Sequence, residues 1–207
     1  NHHSHIALYR KYRPQNFKDV LGQEQVTRVL QGALKQGAIN HAYLFSGARG
    51  TGKTSIARIF AQEIGVSGND LYEIDAASNR GIDDIRALRE AVNTLPFESP
   101  YKVYIVDETH MLTREAFNAL LKTLEEPPKH VIFILATTEI DRLPETIVSR
   151  CETHLFKKPS HALLKDLVLS VAKKEGSAIE PVSADLIAML GDGSFRDALG
   201  VLQKVIS

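Results

Sequence analysis

Residues 47–55 read GARGTGKTS, and only Ser46 separates them from the apolar run AYLF at residues 42–45. The first eight residues of this stretch match the pattern G-x-x-x-x-G-K-[ST] in full. In loops of this kind the glycines let the backbone turn its N–H groups inward, and the helix that follows adds the positive end of its dipole. The stretch therefore predicts a phosphate-binding loop between a strand and a helix.

The residue types in the loop suit the binding of a nucleotide with Mg²⁺. Lys53 would reach the β- and γ-phosphates, and Thr54 would supply an oxygen to Mg²⁺. A tight turn with a solvated lysine is the alternative, and the position between an apolar strand and a helix argues against it. The predicted binding residues are Gly47, Ala48, Arg49, Gly50, Thr51, Gly52, Lys53, Thr54 and Ser55.

A pair of carboxylates follows a second apolar run. KVYIVDETH at residues 102–110 places Asp107 and Glu108 at the C-terminal end of a predicted strand, where open α/β sheets bind ligands. One carboxylate can hold Mg²⁺ through water, and the adjacent one can orient and polarise an attacking water. Thr137 and Thr138 end another predicted strand, where a hydroxyl could bond the γ-phosphate or that water. The alternatives are solvated acids that begin a loop and threonines that suit a strand end.

The composition is that of an ordinary globular protein and sets limits on partners. Of 207 residues 43% are hydrophobic, and 25 basic and 25 acidic side chains give a net charge of zero. The whole chain therefore projects no basic field towards DNA, so any contact with nucleic acid has to be local or shared between chains. One cysteine, Cys151, excludes an internal disulfide and predicts a cytoplasmic location. The absence of an apolar run of about 18 residues predicts no membrane-spanning helix.

Short apolar runs alternate with helical segments up to Pro159. The predicted strands are 42–46, 71–75, 102–107, 131–137 and 153–156, and the predicted helices are 23–35, 52–64, 82–93, 114–125 and 143–150. The strands are nearly unbroken apolar runs, which is typical of strands buried on both faces of a parallel sheet. The alternation predicts an α/β fold with an open five-stranded parallel sheet flanked by helices.

After Pro159 the pattern becomes all-helical. Helices are predicted at 160–175, 183–190 and 194–206, with Ser160, Ser183 and Ser194 as N-caps and Gly176 as the residue after a helix end. The opening NHHSH is interpreted as the remnant of a purification tag, with an irregularly spaced metal site as the alternative. The predicted division is a tag remnant at 1–5, an α/β core at 6–158 and a helical unit at 159–207.

Taken together, the motifs resemble one known family. The matching segments are YRKYRPQNFKDVLGQE (9–24), HAYLFSGARGTGKTSIAR (41–58), EIDAASNRGIDDIR (73–86), VYIVDETHMLTREAFNALLKTLEEPP (103–128), ILATTE (134–139), IVSRC (147–151) and GSFRDAL (193–199). With these segments the chain resembles the AAA+ clamp-loader ATPases of bacterial DNA polymerase III. The resemblance implies an AAA+ P-loop ATPase core with a helical lid, which uses ATP to open a sliding clamp and load it onto primed DNA.

The resemblance also implies roles for particular residues. Asp107 and Glu108 match the Walker B pair, with Glu108 as the catalytic base beside Lys53. Thr138 matches the first sensor and Arg196 the second sensor on the lid, although a solvated helix arginine is the alternative for Arg196. Arg150 resembles an arginine finger that enters a neighbouring subunit's ATP site, with a structural arginine as the alternative. The residues expected near the adenine are Arg13, Pro14, Val20 and Leu21.

The implied partners are other clamp-loader subunits, through the Arg150 interface, the sliding clamp and primed DNA. Ser78, Asn79 and Arg80 are the candidates for DNA phosphate contacts, with an exposed turn as the alternative. Lys122 is a candidate basic group facing a neighbour or a solvated lysine. Any polymerase activity would belong to the holoenzyme, because the chain shows no constellation of acids for nucleotidyl transfer.

Two departures from the family pattern change the expectations. The family usually carries a four-cysteine zinc module before the strand at 71–75, whereas IGVSGND at 64–70 spans that gap without cysteine, so no zinc site is predicted. The chain also stops after the lid, without the collar domain that drives oligomerisation in the family. A mainly monomeric fragment with weak ATPase activity is therefore expected.

Two other functions remain open from the sequence. One is another AAA+ motor acting on DNA, such as a branch-migration motor. The other is a nucleotide-binding structural subunit that does not hydrolyse ATP, against which the intact Lys53, Thr54 and Glu108 argue.

Overall fold

The fold is built on a five-stranded parallel sheet. The computed structural model describes residues 6–78, 81–191 and 193–207, so the predicted tag remnant at 1–5 lies outside the described residues. The strands are β1 (Ala42–Ser46), β2 (Leu71–Asp75), β3 (Lys102–Asp107), β4 (Val131–Thr137) and β5 (Glu152–Leu155). They pair in parallel in the order β2-β3-β4-β1-β5, which confirms the predicted open α/β sheet.

Helices connect the strands and continue after the sheet ends. They are α1 (Leu8–Lys11), α2 (Glu24–Gln36), α3 (Lys53–Ile64), α4 (Gly81–Ala91), α5 (Arg114–Glu125), α6 (Glu145–Val148), α7 (His161–Lys174), α8 (Pro181–Leu190) and α9 (Phe195–Ile206). Short 3₁₀ turns lie at Phe17–Asp19, Gly68–Asp70, Thr109–Met111 and Ile140–Arg142. None of the described helices is long and apolar enough to cross a membrane.

The sheet carries an apolar layer on each face. Along β1, Tyr43 and Phe45 pack into a cluster with α2 and α3, whereas Leu44 packs into a cluster with α4 and α5 on the other face. Alternation of this kind follows from the two-residue period of a strand. Because both faces are covered, the central strands β1, β3 and β4 are buried almost throughout.

A third apolar cluster joins α7, α8 and α9 and includes Leu8 from α1. The backbone N–H of Leu8 donates to Gln203 Oε1 at 3.0 Å, and Lys11 Nζ donates to Glu175 Oε2 at 2.8 Å. The N-terminal segment therefore packs against the helical unit at the other end of the chain.

The edge strands differ from the sequence prediction. Glu73 and Asp75 on β2 and Leu155 on β5 are exposed, although both strands were predicted to be buried on both faces. The reason is their place in the sheet, since an edge strand has a neighbour on one side only. In addition, β5 begins and ends one residue earlier than predicted.

Two helix predictions also differ from the structure. The helix predicted at 143–150 is interrupted before Pro144, and only the four residues of α6 are α-helical there. A residue before proline is pushed towards extended backbone, and Leu143 has φ −85° and ψ 141°. The N-cap of α8 is Glu180 rather than Ser183, because Pro181 takes the first helical position, where its fixed φ is favourable.

The bounds of the other predicted helices and strands agree with the structure within two residues, whereas α1 was not predicted. Ser160 and Ser194 are N-caps as predicted, and their side chains accept from Leu163 N and Asp197 N. Gly176, after α7, has the positive φ of 76° that its predicted position requires.

Candidate nucleotide-binding site

The predicted phosphate loop joins β1 to α3. Gly50 (φ 80°) and Gly52 (φ 96°) hold left-handed backbone conformations that residues with a side chain rarely adopt. Gly52 is the N-cap of α3, so the loop leads directly into the positive end of a helix. A helix N-terminus preceded by such a loop is suited to bind an anion.

Lys53 folds back over this loop. Its Nζ donates to Gly47 O at 2.7 Å and to Ala48 O at 2.9 Å, and the residue is buried. Burial lowers the pKa of Lys53, and the negative charges of Asp107 and Glu108 oppose that shift. The ammonium group is thus held at the loop, with both predicted carboxylates close enough for their charges to raise its pKa.

The strand order brings the predicted catalytic groups together at the C-terminal ends of the strands. Because β3, β4 and β1 are adjacent and parallel, their C-terminal ends present Asp107, Thr137 and Gly47 side by side. The backbone N–H of Gly47 donates to Thr137 O at 3.1 Å. These ends are where a parallel α/β sheet binds its ligands.

The two carboxylates differ in their surroundings. Burial raises the pKa of Asp107, and the hydrogen bond that Asp107 Oδ1 accepts from Glu108 N at 2.9 Å opposes the increase. Glu108 has φ 50° and ψ 46°, and it is the only described non-glycine residue with a positive φ. Strained backbone of this kind persists only where the surrounding structure imposes it, and it is common at functional sites.

His110 connects Glu108 with the end of β4. This buried ring has Nδ1 at 2.8 Å from Thr137 Oγ1, and Nε2 at 3.2 Å from Glu139 Oε2 and 3.6 Å from Glu108 Oε2. Thr137 Oγ1 also accepts from Glu139 N at 3.0 Å, so its hydroxyl hydrogen is free to point at Nδ1. When Nδ1 accepts this hydrogen, Nε2 carries the other ring proton and faces the two glutamates. Thr138 follows Thr137 and is partly exposed.

A cleft of about 700 Å³ opens beside the phosphate loop. The N-terminal segment, the loop and the helical unit each contribute to its walls, including Tyr12, Gly52 and Leu167. The residues predicted near the adenine all line this cleft, namely Arg13, Pro14, Val20 and Leu21. The cleft is thus large enough, and suitably lined, for a nucleotide base next to the phosphate loop.

Arg196 and Arg150 lie away from the phosphate loop. The Arg196 guanidinium stacks on the Tyr9 ring at 5.8 Å, and Arg13 stacks on the same ring at 5.0 Å. Arg196 lines a separate cleft between the N-terminal segment and α9. Arg150 Nη2 lies 3.3 Å from Glu125 Oε1, and its half-exposed side chain lines another surface.

The predicted DNA contacts are described only in part. Ser78 is exposed, and its backbone N–H and hydroxyl both donate to Asp75 O. Asn79 and Arg80 lie outside the described residues. Lys122 is exposed and lines a groove between α4 and α5 together with Arg86 and Arg89.

Three residues of the site region were missed by the sequence reasoning. His110 stands within the quoted KVYIVDETH run, two residues after Glu108, so its position was the available signal. Tyr9 belongs to the mixed aromatic and basic run YRKYR, which could have indicated stacking. Gln23 stands in the matching segment 9–24, but its role gave no local signal, because its contacts come from segments far apart in the chain.

Comparison with known proteins identifies relatives over almost the whole chain. The family model described as DNA polymerase III, delta subunit, matches residues 22–76 and 66–160. The chain is 48% identical to the DNA polymerase III subunit tau of Bacillus subtilis (strain 168), over 99% of this chain and 40% of that protein. It is 44% identical to the DNA polymerase III subunit tau of Escherichia coli (strain K12), over 99% of this chain and 35% of that protein. The chain therefore spans about two fifths of the length of these relatives.

The alignments with both relatives run over 225 positions, although the chain has 207 residues, so the relatives carry residues that this chain lacks. Among solved structures, the Thermotoga maritima RuvB Holliday junction branch migration motor has a TM-score of 0.76 and 24% identity. That likeness covers 94% of this chain and 65% of the RuvB chain. It confirms the predicted AAA+ P-loop fold.

Proposed function

The chain belongs to the family described as DNA polymerase III, delta subunit, and from that premise we propose that it is the ATPase motor of a bacterial clamp loader, of the gamma/tau type. In this role ATP binding and hydrolysis open a sliding clamp and load it onto primed DNA in the cytoplasm. The observation that carries the proposal is the juxtaposition of a complete phosphate loop with Asp107 and Glu108 at one sheet edge.

The residues at this edge fit MgATP. The Lys53 ammonium, now bonded to the loop carbonyls, can turn to the β- and γ-phosphates, which offer it stronger charged acceptors. Thr54 and Asp107 supply oxygen ligands of the kind that Mg²⁺ prefers. When bound there, Mg²⁺ neutralises charge on the phosphates. The aromatic and apolar walls of the adjacent cleft suit the adenine.

Glu108 is the proposed general base for the attacking water. A carboxylate in this position accepts a proton from water as the water attacks the γ-phosphate. His110 is proposed to fix the direction of that carboxylate, because its Nε2 lies between Glu108 and Glu139. Thr138, at the end of the adjacent strand, is proposed to contact the γ-phosphate.

Two arginines complete the proposed mechanism from outside the loop. Arg196, on α9, is proposed to reach the phosphates when the helical lid at 159–207 moves against the core at 6–158. Arg150 lines a surface other than the nucleotide cleft of its own chain, which supports action at the site of a neighbouring subunit. A guanidinium delivered in this way stabilises the charge of the transition state.

The proposed clamp contact is a pair of apolar residues near the N-terminal ends of the strands, opposite the end of the sheet that carries the nucleotide site. Leu95 is 77% exposed and Phe97 is 79% exposed, both in the segment that leads into the N-terminal end of β3. A partner bound there would leave the nucleotide site free. Primed DNA is proposed to contact the chain through Ser78, Asn79 and Arg80.

The test is ATP turnover of the complete subunit, assembled with its partners. We expect clamp and primed DNA to stimulate turnover, and Lys53→Ala to abolish ATP binding measured by calorimetry. Replacing Leu95 and Phe97 with serine should weaken clamp binding but leave ATP binding unchanged. Val29→Ser, which removes an exposed apolar side chain from α2, is the control. Turnover that ignores clamp and DNA, in an assembly that binds ATP, would contradict clamp loading.

The likeness to RuvB shows the fold alone, because the identity is 24%. It therefore gives no support to branch migration as the function of this chain.

A further inference from the structure

Gln23 joins the phosphate loop to the segment that leads into the helical lid. Its side chain is buried, and Nε2 donates to Thr51 O at 3.0 Å and to Lys157 O at 2.8 Å. Its Oε1 accepts from the backbone N–H of Lys157 at 3.2 Å. One side-chain amide thus binds the phosphate loop and both backbone polar groups of a residue between β5 and α7.

Two close contacts lie at the same junction. A Cβ atom added to Gly47 would lie 2.7 Å from Phe156 Cβ, and one added to Gly50 would lie 2.3 Å from Ser194 Oγ. Phe156 precedes Lys157, and Ser194 is the N-cap of α9. The phosphate loop therefore lies close to the segment that leads into the lid and to the N-cap of the helix that carries Arg196.

The hydrogen bonds of Gln23 make these segments move together. At donor–acceptor distances of 2.8 to 3.2 Å, a shift of the loop by about 1 Å would break the bonds unless Lys157 followed. Breaking the buried bond to Thr51 O would leave that carbonyl without this partner, which is unfavourable for a buried polar group. Movement of the loop is consequently transferred to Lys157.

We propose that Gln23 is a positioning residue that couples nucleotide binding at the phosphate loop to the orientation of the helical lid. Torsion of the backbone at Lys157 turns α7 and the helices packed on it, and Gln23 sets that torsion from the position of Thr51. The inference rests on the proposed function, because it requires the loop to bind ATP.

The test compares lid movement with nucleotide affinity in the complete subunit. Spin labels are placed on exposed positions of α3 and α7 by Glu63→Cys and Lys173→Cys, in a Cys151→Ser background. We expect a non-hydrolysable ATP analogue with Mg²⁺ to change the distance between the labels. In Gln23→Met, which keeps the side-chain length without hydrogen bonds, the distance change should be lost while the analogue still binds, about tenfold more weakly at most.

Gln25→Met is the matched control, because Gln25 lies two residues after Gln23, in the first turn of α2, and is exposed. It should keep both the distance change and the affinity. A Gln23→Met protein whose labels move as in the unaltered subunit would overturn the coupling. If that variant does not fold, the coupling is tested by hydrogen exchange at the Lys157 amide of the unaltered subunit. An exchange rate that is identical with and without the analogue would overturn the coupling.

The two proposals fail in different ways. An unaltered subunit that does not bind the analogue in calorimetry overturns the proposed function and the coupling with it. A subunit that binds the analogue without any change in label distance overturns the coupling and leaves the ATPase proposal standing.

Discussion

At Glu108 the backbone carries strain beside the proposed reaction centre. Its φ of 50° and ψ of 46° are left-handed, and such a conformation costs about 1–3 kcal/mol for a residue with a side chain. The strain places the carboxylate between the end of β3 and His110, 3.6 Å from Nε2. The strained backbone of Glu108 therefore lowers the stability of the fold at the residue on which hydrolysis is proposed to depend.

Replacing Glu108 with glycine should separate stability from activity. Glycine adopts the left-handed region without strain, and after its larger loss of backbone entropy the gain should be about 0.5–1 kcal/mol in the free energy of unfolding. Urea unfolding measures this gain, and steady-state phosphate release should fall to background. A glycine variant less stable than the unaltered protein would mean that the contacts of the Glu108 side chain outweigh the strain.

The Glu108→Gln substitution tests the chemistry with the shape of the side chain preserved. An amide cannot accept the proton of the attacking water, so turnover at saturating ATP should fall about 10²- to 10⁴-fold. Calorimetry should show ATP binding retained. Glu126→Gln, at the exposed end of α5, is the control and should leave turnover unchanged. Unchanged phosphate release in Glu108→Gln would support a different base.

Among the elements, the segment before β3 is anchored by the carboxylate of Asp70. Asp70 is buried at the start of β2 and accepts from the backbone N–H groups of Phe97 (2.7 Å), Glu98 (3.0 Å) and Ser99 (2.9 Å). Burial by itself raises the pKa of Asp70, but the hydrogen bonds from this segment outweigh it and lower the pKa to about 2. The exposed Leu95 and Phe97 are therefore presented by an anchored segment.

Asp70→Asn should destabilise the protein in a pH-dependent way. Because the folded pKa lies below the ordinary value of 3.8, the carboxylate stabilises the fold above about pH 4, and this contribution is lost as the pH falls towards 2. At pH 7 the variant should lose about 1–3 kcal/mol in urea unfolding, and the difference from the unaltered protein should shrink below pH 4. Asp141→Asn, at an exposed position, is the control. A difference that is independent of pH would contradict the role of the charge.

How far the sequence predicts an element depends on where its contacts come from. The bounds of β1, β3 and β4 follow from the chain alone, since a strand covered on both faces needs an unbroken apolar run. For β2 and β5 the prediction of burial on both faces was wrong, because membership of a sheet edge is decided by strand order rather than by composition. The phosphate loop is a local motif and was found, whereas the bonds from Gln23 to Lys157 join residues 134 positions apart.

At the scale of the whole molecule, the proposed reaction draws on two chains, because Arg150 is proposed to act at the site of a neighbouring subunit. Arg150 is paired with Glu125 at 3.3 Å on a surface separate from the nucleotide cleft. If it serves a neighbour, turnover per subunit should rise on assembly, and Arg150→Ala should lower turnover of the assembled complex about 10³-fold or more. ATP binding to the separate subunit should not change. Arg114→Ala, at the exposed start of α5, is the control.

Mixing two inactive variants decides whether Arg150 acts across the interface. A complex that contains both Arg150→Ala and Glu108→Gln subunits forms some sites in which an intact Glu108 faces an intact Arg150 from the neighbouring subunit. We expect phosphate release to return in the mixture, although each variant alone is inactive, and to vary with the mixing ratio. If Arg150 acted within its own chain, no site in the mixture would be complete, because every subunit lacks one of the two groups. Mixtures as inactive as the separate variants would therefore exclude action across the interface.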